Sequence, residues 1–170
     1  IATVTAPMFK KLSLELGGKN PNIIFADADF DKAVSIAARA AFTNQGQICL
    51  CGSRLFVQDE IYEKFRDALI AKTKKLKVGD PKDPSSNLGA VVSKEHMEKI
   101  LSKIEKAKEL GGKILIGGER EILEGDLKNG YYVQPTIIEG LNYDCSINQE
   151  EIFGPVVSLM PFKTEEEVVE

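Results

Sequence analysis

Residues 11–16 alternate polar and apolar side chains and residues 22–25 form a short apolar run, so both segments predict strands. The intervening Gly17-Gly18-Lys19-Asn20-Pro21 reads as a turn. The period then lengthens. Asp27 or Asp29 caps a predicted helix that carries Val34, Ala37, Ala38, Ala41 and Phe42 on one face, with Gly46 as its stop. Residues 55–57 predict a strand, and Asp59 caps a second helix with Ile61, Phe65, Ala68, Leu69 and Leu76 at helical spacing. Lys72, Lys74, Lys75 and Lys77 crowd its last turns, where cations suit the negative end of the helix dipole. After a loop at 79–87, Ser93 caps a third helix with Met97, Ile100, Leu101, Ile104 and Ala107 on one face, ended by Gly111-Gly112. Residues 113–116 predict a strand and 117–130 a polar excursion. Two further strands follow at 132–138 and 156–162, and Thr164 caps the start of another helix. Strands alternating with helices predict an α/β layered fold with a largely parallel sheet.

Composition narrows the function classes. With 170 residues, 43% apolar and 28% charged, the chain is an ordinary globular one, about one domain long. The net charge of −4 comes with scattered rather than clustered Lys and Arg, which speaks against nucleic-acid binding. No apolar run approaches the roughly 20 residues that cross a bilayer, and no signal peptide opens the sequence. Three cysteines make an odd count with no disulfide framework, which points to a reducing, cytoplasmic setting. Zinc is disfavoured, because Cys49-Leu50-Cys51 is too tight for a zinc knuckle and His96 has no second histidine. The start at Ile1 and the stop at Glu170, inside a helix opening, suggest an interior piece of a longer protein.

Three places carry chemistry. Cys49 lies in a polar, glycine-punctuated stretch, Phe42-Thr-Asn-Gln-Gly-Gln-Ile-Cys-Leu-Cys-Gly-Ser-Arg54, between a helix pattern and a strand pattern. A loop so built presents a thiol, as nucleophile or simply as a structural cysteine; Cys51 packs or stands by. Glu15, between Leu14 and Leu16 and just before two glycines, suits general-base work, or is an outward-facing strand residue. In Gln149-Glu150-Glu151-Ile152-Phe153-Gly154-Pro155, acids followed by an aromatic suit a ribose and a flat ring, or Ile152 and Phe153 are core. His96 reads as a surface histidine.

Together these places resemble the NAD(P)-dependent aldehyde dehydrogenase superfamily. The likeness runs through Leu14-Glu-Leu-Gly-Gly-Lys-Asn-Pro21, residues 42–54, Gly130-Tyr-Tyr-Val-Gln-Pro-Thr136 and Glu150-Glu-Ile-Phe-Gly-Pro155, in the family's order. It implies an aldehyde dehydrogenase-like three-layer α/β fold with a largely parallel sheet, incomplete at both ends. Residues 1–16 would be the tail of the cofactor-binding domain and 17–170 a truncated catalytic domain. The implied roles are Cys49 as nucleophile and Glu15 as the base that activates the hydrolytic water. Glu151 would hold the nicotinamide ribose, Phe153 would buttress the nicotinamide ring, and Lys99, less so His96, would approach the adenosine ribose. The cofactor is NAD, with NADP an alternative, and the partner a small aldehyde. The full-length protein would be a homodimer or homotetramer. Branches that transfer the acyl group to coenzyme A tend to lack a glutamate at the Glu15 position, so hydrolysis to a free acid is implied. Gln47-Ile-Cys-Leu-Cys-Gly-Ser-Arg54 looks closest to the branch oxidising 2-aminomuconic or 2-hydroxymuconic semialdehyde. The alternatives are a betaine or aliphatic aldehyde dehydrogenase and a catalytically inert truncated module.

Overall fold

The computed structural model describes residues 1–169. One helical turn, α1 (Ala2–Thr5), precedes β1 (Pro21–Ile24), α2 (Phe30–Phe42), β2 (Arg54–Gln58), α3 (Tyr62–Thr73) and α4 (Lys94–Glu109). Then come β3 (Lys113–Ile116), β4 (Arg120–Glu121), β5 (Tyr132–Val133), β6 (Thr136–Glu139), α5 (Ser146–Gln149), β7 (Val156–Phe162) and α6 (Glu165–Val169). Five strands make one sheet in the order β1-β2-β7-β6-β3. Its β1–β2, β2–β7 and β7–β6 pairs are parallel, and only β3 runs antiparallel, along β6. The expected α/β sheet, largely parallel, is therefore present.

Burial explains the layers. Alternate strand residues point to opposite faces. Leu55, Val57, Ile137, Val157 and Leu159 pack with Val34, Ala37, Ala38, Phe65 and Leu69 of α2 and α3. Ile138 and Val156 face the other way, onto Met97, Ile100, Ile104 and Ala107 of α4. The strand β7, covered on both faces, reads almost wholly buried, as a central parallel strand should. Asp29 caps α2 by accepting from the Lys32 N–H at 3.2 Å, and Ser93 caps α4 through the His96 N–H at 3.1 Å. Thr164 accepts from the Glu167 N–H at 3.3 Å, so that predicted cap also forms.

Several expectations fail for identifiable reasons. Residues 11–16 form no strand, because no edge among the described residues pairs with them, and Leu12, Leu14 and Leu16 stand exposed. Among the described residues Asp59 caps no helix with its side chain; a 3-10 turn at Asp59–Ile61 intervenes, and α3 starts at Tyr62. That helix ends at Thr73, so Lys72 alone of the lysine run lies in its last turn, while Leu76 packs on the core from beyond it. The first long helix stops at Phe42 rather than Gly46, giving way to a 3-10 turn in which Asn44, Gln45 and Gly46 all take left-handed φ. The predicted strand over 132–138 breaks into β5 and β6 at Gln134-Pro135, where proline brings no N–H to a ladder. The polar excursion contributes β4, paired with β5.

Candidate active site

Sequence-distant motifs converge here through topology. The turn 17–20 leads into β1, the cysteine loop into β2, and residues 150–155 into β7. These three strands are adjacent and parallel, so their N-terminal ends lie along one edge of the sheet. The motifs must meet there.

The turn residues are the clamp. The Asn20 side-chain amide donates to the Cys49 carbonyl at 2.7 Å and to the Cys51 carbonyl at 3.3 Å. The Asn20 main-chain carbonyl accepts from the Arg54 N–H, and the Lys19 carbonyl accepts from Arg54 Nε at 2.9 Å. On the other side, the Gly18 N–H donates to Glu151 Oε1 at 3.2 Å. A β-carbon on Gly17 would lie 2.2 Å from Glu151 Oε2, so the missing side chain is what admits that carboxylate. One short turn thus ties the thiol loop to the acidic motif.

Cys49 sits in a turn closed by the Cys51 N–H to the Ile48 carbonyl at 2.9 Å, and it is exposed. Leu50 beside it is 79% exposed. Cys51 is buried, its thiol donates to the Ala41 carbonyl, and burial pushes that thiol up to about 11. The expectation that Cys51 packs is met. The polar residues upstream are fasteners: Gln45 accepts from the Gly89 N–H, Gln47 from the Val92 N–H, and the Asn44 amide donates to the Gln47 carbonyl. Lys19 is half-buried, and desolvation together with the Arg54 charge lowers its ammonium to about 8.

The two acids of the third motif have different partners. Glu150 pairs with Lys103 on α4, and that bond holds its carboxyl below the usual range. Glu151 turns to the Gly18 N–H. With Gly18, Gly46, Ile48 and Phe153 it lines a small crevice. Phe153, 36% exposed, has a left-handed backbone with φ 58°, and its carbonyl meets His96 Nε2 at 2.6 Å. Gly46 presses against the next peptide, Gly154–Pro155: a β-carbon there would stand 2.1 Å from the Gly154 carbonyl oxygen.

Not every candidate joins this group. Glu15 is exposed two residues before Gly17 and makes no hydrogen bond or ion pair among the described residues, so the apolar strand setting expected for it is absent. Lys99 is exposed on α4 and faces Glu150 electrostatically, with no ion pair among the described residues. His96 is not a free surface histidine. Sequence reasoning missed Asn20 as the clamp; Gly-Gly-Lys-Asn-Pro was legible only as a turn. Among the described residues no three His, Cys, Asp or Glu side chains gather as a metal cluster, and no helix is long and apolar enough to cross a membrane.

Known proteins resemble this chain in sequence and in fold. The chain is 48% identical to the 2-aminomuconic semialdehyde dehydrogenase of Mus musculus, over 99% of its own length and 35% of that protein. It is 46% identical to 4-trimethylaminobutyraldehyde dehydrogenase A of Danio rerio, over 100% of its own length and 34% of the other. A crystal structure of betaine aldehyde dehydrogenase from Staphylococcus aureus in complex with NAD+ superposes with a TM-score of 0.90 at 44% identity, covering 98% of this chain and 33% of that one. The chain therefore spans about a third of the length of the relatives it matches. The sequence profile of the aldehyde dehydrogenase family matches residues 1–170 throughout. With both sequence and fold in agreement, the chain belongs to the aldehyde dehydrogenase family.

Proposed function

We propose that these residues supply the thiol half of a hydrolytic aldehyde dehydrogenase site within a longer protein, with residues 1–16 on the cofactor side and 17–170 on the catalytic side. The observation that carries this reading is the 17–20 turn, which bonds to the Cys49 carbonyl through Asn20 and to the Glu151 carboxylate through Gly18. Nucleophile and ribose acceptor are held by one element.

Cys49 Sγ, as thiolate, attacks the aldehyde carbon, and the carbonyl electron pair moves onto oxygen. The Cys49 backbone N–H is among the donors that hold this oxyanion. As the oxyanion collapses, the hydride on that carbon departs and a thioester to Cys49 remains. NAD, or NADP, would be met at its nicotinamide end by two residues: Glu151 would offer carboxylate oxygens to the ribose hydroxyls, and the Phe153 ring, 36% exposed, a flat face. Bound there, the dinucleotide would accept the hydride. Glu15 then takes a proton from water, the hydroxide adds to the thioester carbon, and the C–S bond breaks to release the acid and regenerate the thiolate. Glu15 reaches this role once the exposed segment before Gly17 is packed within the longer protein. Lys99, also on α4, would be the residue that approaches the adenosine ribose.

The substrate proposed is a muconic-type semialdehyde, in keeping with the Mus musculus relative. Exposed Leu50 and half-buried Ile48 flank Cys49 and would touch it. A betaine or aliphatic aldehyde is the second reading, favoured by the trimethylaminobutyraldehyde and betaine aldehyde relatives. Initial rates on a semialdehyde and on betaine aldehyde, measured with the full-length enzyme, separate the two. In that enzyme Glu15→Gln should slow thioester hydrolysis while Cys49 still acylates. Lost acylation with normal deacylation would refute the base assignment. Residues 1–170 alone should neither bind NAD tightly nor turn over, and a robust dehydrogenase rate from them would refute the division of the site.

A further inference from the structure

A residue with a β-carbon keeps a left-handed backbone only when its surroundings hold it there, and such residues gather at functional sites. Phe153, φ 58°, is one. Its carbonyl accepts from His96 Nε2 at 2.6 Å, the shortest tie it has to the rest of the fold among the described residues. The next residue, Gly154, is wedged: a β-carbon there would lie 2.6 Å from Ile100 Cδ1, and one on Gly46 would lie 2.1 Å from the Gly154 carbonyl oxygen. The imidazole itself is fixed at its base, since the His96 N–H donates to the Ser93 side chain in the first turn of α4. The two rings meet edge-on with centroids 6.2 Å apart.

The spacing along α4 makes this more than a chance contact. His96, Ile100 and Lys103 stand at i, i+4 and i+7 and so share one helix face. They meet Phe153, Gly154 and Glu150 respectively. The capped helix, buried along its inner face, acts as a template for the whole acidic–aromatic segment, and His96 is its contact with the aromatic residue.

We propose that His96 is a positioning residue for the dehydrogenase reaction. By donating from Nε2 to the Phe153 carbonyl it keeps that backbone left-handed and sets the ring along the crevice shared with Glu151. The inference rests on the cofactor-facing role proposed above for Phe153. Both the neutral imidazole with its proton on Nε2 and the imidazolium make this bond.

The test uses the full-length enzyme, with NAD varied at saturating aldehyde. His96→Ala should lower kcat/KM for NAD about fivefold, the effect of one lost hydrogen bond, mainly through KM. Hydrolysis of a chromogenic ester, which acylates Cys49 without a hydride acceptor, should stay within twofold. His96→Gln, whose amide also donates, should restore kcat/KM for NAD to within twofold of the parent. If His96→Ala does not fold, His96→Asn, polar but too short to reach the carbonyl, carries the same expectation. In a Phe153→Gly background, where the backbone adopts the left-handed region unaided and no ring remains, His96→Ala should add no further loss. The proposal is overturned if kcat/KM for NAD is unchanged, if ester hydrolysis falls in parallel, or if the losses add in that background. A Phe153→Leu enzyme with unaltered NAD kinetics would instead remove the role of Phe153 itself, whatever His96 does.

Discussion

Gly17→Ala is the sharpest probe of the clamp between the 17–20 turn and the acidic motif. The new methyl would lie 2.2 Å from Glu151 Oε2 and 3.0 Å from its carboxyl carbon, where ordinary contact begins near 3.4 Å. The carboxylate must retreat by about 1 Å, and as the end of a flexible side chain it does so by rotating rather than by forcing the backbone. Gly17 has no left-handed φ, so alanine brings no backbone strain. What is lost is the Gly18 N–H to Glu151 Oε1 bond of 3.2 Å. A hydrogen bond to a charged acceptor contributes about 1.5 kcal/mol, and 1.4 kcal/mol is about tenfold in affinity. The bond exists before NAD binds, so its loss should lower folding stability by up to about 1.5 kcal/mol, and a carboxylate no longer held in place must be ordered again when the ribose binds. In the full-length enzyme kcat/KM for NAD should fall about tenfold, with the thermal midpoint lowered by a few degrees. In a Glu151→Ala background the same substitution should be silent. Unchanged NAD kinetics, or a loss that persists in that background, would refute the clamp.

Three further outcomes follow from the same geometry. Gly46→Ala places a β-carbon 2.1 Å from a backbone oxygen at φ 67°; left-handed strain and overpacking together should cost about 3 kcal/mol, read as a lower urea midpoint, and tolerance would show that the 42–54 and 150–155 segments are not pressed together. Asn20→Ala removes the donor to the Cys49 and Cys51 carbonyls and should destabilise by about 1–2 kcal/mol while slowing acylation of Cys49 by a chromogenic ester; normal acylation would leave Asn20 with no part in shaping the loop. Iodoacetamide at pH 7.5 should label exposed Cys49 well before buried Cys51, whose thiol lies near 11, and equal labelling would contradict the burial. For Cys51 the folded chain keeps its proton above the usual thiol range while the unfolded chain sheds it. Its contribution is therefore complete below about pH 9 and lost as pH rises through about 11.

Much of this molecule was legible from local pattern. Helical spacing placed α2 and α4, Ser93 announced one cap and Asp29 was one of two candidates for the other, and residues 113–116 and 156–162 marked β3 and β7 to the residue. Each of those signals lies within a few turns of chain, where periodicity and side-chain capping act directly. Residues 11–16 show the limit: alternation licenses a strand, but a strand exists only by pairing, and none of the described strands pairs there. Cys49 and Glu151 were named from the sequence as parts of a familiar motif set, yet nothing local related one to the other. The order β1-β2-β7 did that, by laying three N-terminal strand ends side by side. Likewise a histidine on a helix surface has no meaning for a phenylalanine 57 positions away until α4 is docked across that edge. Chain-local forces chose the elements and displayed the thiol; long-range parallel pairing decided what stands beside it.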